Sequence, residues 1–307
     1  MDTEALGTSE QERALARRAW SHLEVVHALG IFGPDVIEAQ GELGLDDLLS
    51  GYVAARVAPL GPVGPEVATA VFHGFSPAVM RRVLPGVWER IAPAEIVHTT
   101  RRAAGAQLAR LAEGMEEEIA RAAELARQAA LFHPIEGRPL AAGRSALDWP
   151  EDPAELLWEA ATRVRESRGD AHVACLVTAG LDGIEAHLTV AGDTDTARGF
   201  LQRLRGWSDP EWEAAIARLQ ERGLLDDAGG LTEAGRRLRR QLEERTDALA
   251  VPPWRQLGED ATQQLIEALQ PVVRRILDAE ILPLPIFAGR DVDPRGAESP
   301  KAHPEAE

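Results

Sequence analysis

Apolar residues recur three and four positions apart over most of this chain. "QERALARRAWSHLEVVHAL" (11–29) predicts one amphipathic helix. "AEIVHTTRRAAGAQLARLAEGMEEEIARAAELARQAALF" (94–132) predicts one very long helix or two in line, with Gly105 and Gly114 as weak points. "PAELLWEAATRVRES" (153–167) opens with Asp152 at the cap, Pro153 at the first helical position and Glu155 at the third. "PPWRQLGEDATQQLIEALQPVVRRILDAE" (252–280) carries a further helical pair. Strand-like alternation is rare and short. From Gly289 onward the chain is polar and proline-bearing, a composition that predicts disorder.

The sharpest local pattern is "RGWSDPEWEAAIARLQERGLLDDAGGLTEAGRRLRRQLEERTDAL" (205–249). Ser208 and Glu211 form a capping box, with Trp207 and Trp212 at the two staple positions. Gly223 suits a left-handed helix end. "LLDDAGGLT" predicts a tiny hairpin with a Gly-Gly tip, and Thr232 caps the helix that follows.

Composition narrows the function classes. At 307 residues and 45% hydrophobic the chain can bury a core of one or two domains. It has no apolar run of membrane-spanning length, and its acidic N-terminus does not read as a signal peptide. Cys175 is the single cysteine, which excludes an internal disulfide and a cysteine-based zinc cluster. A cytoplasmic location with no membrane partner is expected. The net charge is −17, and Lys301 is the sole lysine among 33 basic residues, a bias first of all of genome composition.

Helix, "RGLL", short wing, "LTEAGRRL" and "TD" resemble the winged-helix end of MarR-type proteins. More widely, "HLEVVHAL", "GYVAARVAPLGPV", "VFHGFSP", "RESRGDAHVACLV", "RGWSDPEW" and "TDALA" resemble the SalK-type helix-turn-helix family over about residues 15 to 287. The resemblance implies a fold and hands over no substrate or catalytic residue. It departs at Ser167 and Ala171, where it implies a histidine and a glycine.

The first half echoes the second. "GFSPAVMRRVLPGVW" (74–88) sets Phe75 and Met80 where Trp207 and Trp212 stand, and an arginine-bearing motif lies upstream of each helix. The expected fold is therefore mainly α, with two degenerate MarR-like winged-helix halves in one chain (a pseudo-dimer), long connecting helices and a short β-wing in the second half. The first half has no recognisable wing, since "LPGVWERIAP" is broken by proline. The divisions are a flexible N-terminus (1–10), an N-terminal half (11–133), a linker (134–150), a winged-helix half (151–250), C-terminal helices (251–288) and a tail (289–307).

DNA recognition needs a tight turn between two helices and cations facing phosphates. Here the segment "DTDTARGFLQRLRG" (193–206) replaces the tight turn. From Trp207 to Thr232, six acids (Asp209, Glu211, Glu213, Glu221, Asp226 and Asp227) face two arginines (Arg218 and Arg222), a balance that opposes phosphate binding. Arg236, Arg237, Arg239 and Arg240 read as a solvated, ion-paired face.

Candidate chemistry centres on "RESRGDAH" (165–172). Helix-end effects account for most of it: Arg165 and Arg168 in a last turn, Gly169 as breaker and Asp170 as the next cap. His172 then starts an apolar helix, where the positive end favours the neutral imidazole. His27 lies on an apolar face, His73 precedes the Ser76 cap, and Arg56 sits among Ala and Val. Trp88 and Trp207 can wall a pocket. The expected site has His172 and His73 as catalytic groups, with His27, Arg56, Trp88, Arg165, Arg168 and Trp207 binding a small anionic or aromatic ligand between the halves. No metal motif, phosphate loop or nucleophile elbow occurs. The cofactor is left unassigned, with a haem held by one histidine still open, and so is the choice between enzyme and sensor. The alternative is a MarR-like DNA-binding transcriptional regulator, as monomer or homodimer.

Overall fold

A computed structural model describes residues 6–191 and 195–283. Residues 1–5 and the polar tail from Gly289 lie outside the described residues. The architecture is mainly helical, and it is organised around one helix that the sequence divides too early.

Helix α1 (Glu10–Phe32) starts at a capping box between Ser9 and Glu12 and is buried almost continuously from Ala19 to Gly30. It packs on α9 (Pro153–Thr178), the 26-residue hub of the molecule. At 1.5 Å per residue, α9 runs about 39 Å. Helices α6 (Pro93–Leu111), α7 (Glu116–Ala130) and α15 (Glu259–Asp278) complete a central bundle with α1 and α9. The long segment 94–132 breaks at Gly114, whose φ of 82° suits glycine. Gly105 does not break it and lies inside α6.

Two smaller cores flank the bundle. The first joins α3 (Leu48–Val57), α4 (Pro65–Phe72), α5 (Pro77–Trp88) and the start of α6 around Tyr52, Phe72, Phe75 and Met80. The short helices α2 (Pro34–Glu42) and α8 (Pro139–Ser145) link this side to the bundle. Helix α5 carries Pro85 internally and runs on to Trp88, so proline does not break it. The second core joins the end of α9, α10 (Gly183–Ala191), α12 (Asp209–Glu221) and α13 (Glu233–Leu249) around Leu188, Trp212, Leu219 and Leu242. Helix α14 (Pro252–Leu257) leads into α15.

Three local expectations are corrected. "RESRGDAH" is not a helix boundary but the middle of α9. A glycine inside a helix costs about 1 kcal/mol, and burial of Val164, Ala171 and Cys175 on either side offsets it. Asp170 caps no successor of α9; its Oδ2 accepts the N–H of Ala141 in the first turn of α8. The stretch 193–206 is not a loose insertion, because α11 (Asp195–Arg205) fills most of it. A three-residue turn, Gly206–Ser208, then leads into α12, with Gly206 at φ 72°. Finally, the short β-wing reduces to one antiparallel bridge, Leu225 with Leu231, and no strand forms among the described residues. Asp226 closes the tip instead, its N–H donating to Gly230 O and its Oδ1 accepting from Gly230 N.

Candidate functional site

Because α9 is continuous, Arg165, Arg168, Gly169 and His172 fall three and four residues apart and share one face of it. That face looks onto a cavity of about 260 Å³. Arg17, Trp20 and Glu24 line it from α1, and His187 and Val190 from α10. Leu201 and Arg205 come from α11, and Arg239 and Glu243 from α13. Five arginines thus face two glutamates in a chain whose net charge is −17.

Glu243 gathers three of the arginines. It pairs with Arg17 at 3.0 Å, with Arg168 at 3.2 Å and with Arg239. Burial opposes its ionisation, but Arg239 and Arg168 hold its carboxyl at about 2. Asp247, just behind, accepts from Arg168 at 2.8 Å and Arg17 at 2.7 Å. The Arg168 guanidinium also stacks 3.8 Å from the Trp20 ring centre. Three guanidinium nitrogens of arginines that line this cavity, Arg168 Nε, Arg205 Nε and Arg239 Nη1, are buried and have no acceptor among the described residues.

The two histidines of the cavity are neutral. Burial, followed by Arg239, lowers His172 to about 3. Burial, followed by Arg205, does the same for His187. The expected cause, a helix N-terminus, does not apply, since His172 sits far inside α9. The hydrogen bonds fix the tautomers. Thr246 gives its hydroxyl proton to Leu242 O at 2.7 Å, so its oxygen accepts the Nδ1–H of His172 at 2.9 Å. Nε2 is left as the basic nitrogen. His187 donates Nε2–H to Gly74 O at 2.9 Å, which leaves Nδ1 basic.

An adjoining stripe of α9, joined to the cavity through Arg165, meets Arg56 of α3. Arg56 grips Glu166 with two bonds, of 2.8 and 2.7 Å, and donates to Tyr52 Oη at 2.7 Å. Burial opposes the charge on Glu166, but Arg56 and Arg165 drive its carboxyl far below the usual range. Asp170, on the same stripe, has no such partner. Burial, aided by Glu166, pushes it up to about 6. Its pKa is therefore raised on folding, from the 3.8 of a free aspartate, so it costs stability as pH rises through that window. Asp170→Asn is expected to gain about 1–3 kcal/mol over the natural chain above pH 6 and nothing near pH 4. Urea titrations of both chains at the two pH values check this, and a difference independent of pH would refute it.

Of the sequence-predicted residues, Arg165, Arg168 and His172 line the cavity. Arg56 does not line it and belongs to an adjoining ion network that shares Glu166 with Arg165. His27 lies in the bundle core, its Nδ1–H donated to Thr162 Oγ1 and its ring stacked on Trp158. His73 and Trp207 hold a seam instead: His73 Nε2 donates to Leu181 O at 3.1 Å, and Trp207 Nε1 to Gly74 O at 2.9 Å. Trp88 packs against the α3–α5 core with its indole N–H on Val63 O. The seam admits no side chain at two glycines. A Cβ on Gly74 would meet His187 Nε2 at 2.5 Å, and one on Gly183 would meet His73 O at 2.2 Å. Ser76 N–H donates to Arg205 O across it. Sequence reading missed Arg17, Trp20, Glu24, His187, Arg205, Arg239 and Glu243; the spacing of Arg17, Trp20 and Glu24 along one face of α1 is the signal it had. Among the described residues no cluster of three or more His, Cys, Asp or Glu could hold a metal ion. The cavity is smaller than the roughly 300–1,000 Å³ clefts of drug-sized ligands, so it does not fit a haem.

The model of the helix-turn-helix family matches residues 16–283. The chain belongs to that family. No curated protein and no solved structure matches it. In this helix-turn-helix protein the tight turn is Gly206–Ser208, between α11 and α12. The two cations on and just after α12, Arg218 and Arg222, are exposed but ion-paired. Arg218 pairs with Asp182 and Glu185, and Arg222 with Glu185 and the carbonyl of Gly180. Arg236, Arg237 and Arg240 form an exposed cluster around Glu233. Arg239 departs from that face and turns inward. Among the described residues no single helix is long and apolar enough to cross a membrane.

Proposed function

We propose that this helix-turn-helix family member binds a small organic anion in the cavity lined by α1, α9, α10, α11 and α13. The observation that carries the proposal is the trio of buried guanidinium N–H groups without acceptors, on Arg168, Arg205 and Arg239. A buried donor left unsatisfied costs about 1–3 kcal/mol, and one anion set among the three relieves that cost. Trp20, Val190 and Leu201 add apolar wall, which suits a ligand with a carbon body. The volume suits a molecule smaller than a drug. His172, held neutral by burial, offers a hydrogen-bond acceptor on the same cavity, and a monomer or homodimer with one cavity per chain serves equally.

The test is calorimetric titration with matched anionic and neutral small molecules, beginning with carboxylates and their amides. Anions are expected to bind and amides not. Arg239→Gln is expected to weaken anion binding about 10- to 100-fold, since a hydrogen bond to a charged group contributes about 1.5–3 kcal/mol. Equal binding of the neutral partners, or an unchanged affinity in Arg239→Gln, would overturn the reading.

Two degenerate winged-helix halves remain our reading of the chain's ancestry. The parallel between Phe75-Ser76-Met80 and Trp207-Ser208-Trp212 supports it, as do two flanking cores on one bundle. The second functional reading, a DNA-binding regulator, draws on the family and on the three-residue turn before α12. Two features weigh against it. Arg218 and Arg222 already have carboxylate partners. Recognition helices that serve neighbouring half-sites also stand about 34–36 Å apart, whereas the turns before α5 and α12 touch, Ser76 N to Arg205 O at 3.0 Å.

A further inference from the structure

The cavity offers two kinds of group, and the proposal above uses only one. Its arginines donate. Its histidines, in the tautomers their partners impose, accept. Thr246 donates its hydroxyl proton to Leu242 O at 2.7 Å, which leaves its oxygen to accept from His172 Nδ1. With its proton on Nδ1, the ring carries a lone pair on Nε2, and the residue lines the cavity. His187 is fixed in the same way through Gly74 O, with Nδ1 as its acceptor. His172 and His27 are bonded alike, each through Nδ1 to a threonine hydroxyl whose proton goes to the carbonyl four residues back. They differ in one respect: His27 Nε2 is buried without a partner, and His172 Nε2 is not.

An anion without hydrogens fits such a site poorly. It satisfies the guanidinium groups, but it sets its own lone pairs against those of the imidazoles. A ligand oxygen that carries a proton satisfies both. Resting on the anion-cavity reading, we infer that the ligand is an anion that also carries a hydrogen-bond donor, such as a hydroxy acid or a hydrogen phosphate, and that His172 Nε2 accepts the donated bond. Specificity then arises as much from the lone pair that rejects donor-free anions as from the arginines that attract all of them. The same nitrogen accepts the bond without taking the proton, because burial holds the imidazole neutral. Arg17, Arg165, Arg168, Arg205 and Arg239 would all disfavour an imidazolium there, and Glu24 and Glu243 would favour it.

Inorganic phosphate and sulfate separate the two properties. At pH 7.5 phosphate always carries at least one O–H, sulfate carries none, and the two have nearly the same size. Calorimetric titration of the full chain is expected to give phosphate at least tenfold tighter than sulfate. His172→Phe is expected to abolish that preference, both by weakening phosphate, which loses its acceptor, and by tightening sulfate, which no longer meets the lone pair. Thr246→Val, which leaves the imidazole in place but removes the oxygen that fixes its tautomer, is expected to shrink the preference to a few-fold. Equal affinities in the natural chain would overturn the donor inference and leave the anion cavity standing. A preference that survives both substitutions would overturn the assignment to His172. Failure of both ions to bind would overturn the anion cavity itself.

Discussion

Glu166→Ala is expected to lower the unfolding free energy by about 3–5 kcal/mol. Glu166 is 1% exposed and is the only carboxylate bonded to Arg56 among the described residues. It also accepts from Arg165 at 3.0 Å. Its removal strands one buried guanidinium and weakens the hold on a second. Arg56 has little access to water, its side chain being 11% exposed and packed 4.6 Å from the centre of the Phe72 ring and 5.4 Å from that of Tyr52. The loss measures the stranded cation rather than the worth of the pair, so a second variant separates the two. Replacing both partners at once, Arg56→Met with Glu166→Leu, is expected to recover most of the stability, because the charge and its counter-charge leave together. Urea unfolding midpoints of the three chains check this. A double variant as unstable as Glu166→Ala would show that the site needs the ions themselves.

Trp158→Ala is expected to cost about 3–5 kcal/mol by a different route. Trp158 is 2% exposed and stands at the contact of α1 with α9. The backbone of α1 is shaped to it: a Cβ on Gly30 would lie 2.3 Å from the indole ring. The indole N–H donates to His27 O at 3.3 Å, and the Arg144 guanidinium lies 5.2 Å from the ring centre. Alanine leaves a void between two long helices that cannot close without moving the whole bundle, and a void that persists adds to the lost transfer energy. Calorimetric unfolding measures the change. A loss under about 1 kcal/mol would mean that α1 and α9 collapse onto the gap.

Much of the fold was legible where the signal was local. The Ser76 and Ser208 caps are both in place, one bonded to Ala78 N and the other boxed with Glu211. Gly114 ends a helix, as its lack of a side chain allows. Legibility failed where packing overrode local preference. Gly105 looks like a break, yet it exists because a Cβ there would strike Glu155 Cγ at 2.6 Å. Gly169 and Asp170 look like a helix boundary, but a buried hub carries them through. The polar segment 193–206 hides α11, whose arginine-rich last turn supplies Arg205 to the cavity. In the site, the face of α9 was readable once the helix was continuous. What sequence could not supply was which of four neighbouring arginines on α13 turns inward: Arg239 does, because α13 lies against α9.

Placing five arginines inside a chain of net charge −17 has a kinetic consequence. An approaching anion must cross an envelope of its own sign before any guanidinium reaches it. Salt weakens that outer repulsion over about 8–10 Å, while the short contacts inside the cavity are screened far less. Association therefore quickens as salt is added, the rate of escape changes little, and affinity climbs at moderate ionic strength. Proteins held to DNA through phosphates show the reverse slope. On the proposed anion-cavity reading, the exterior thus acts as a toll on entry rather than on residence, and a ligand once inside leaves at a rate set by its contacts with the cavity wall.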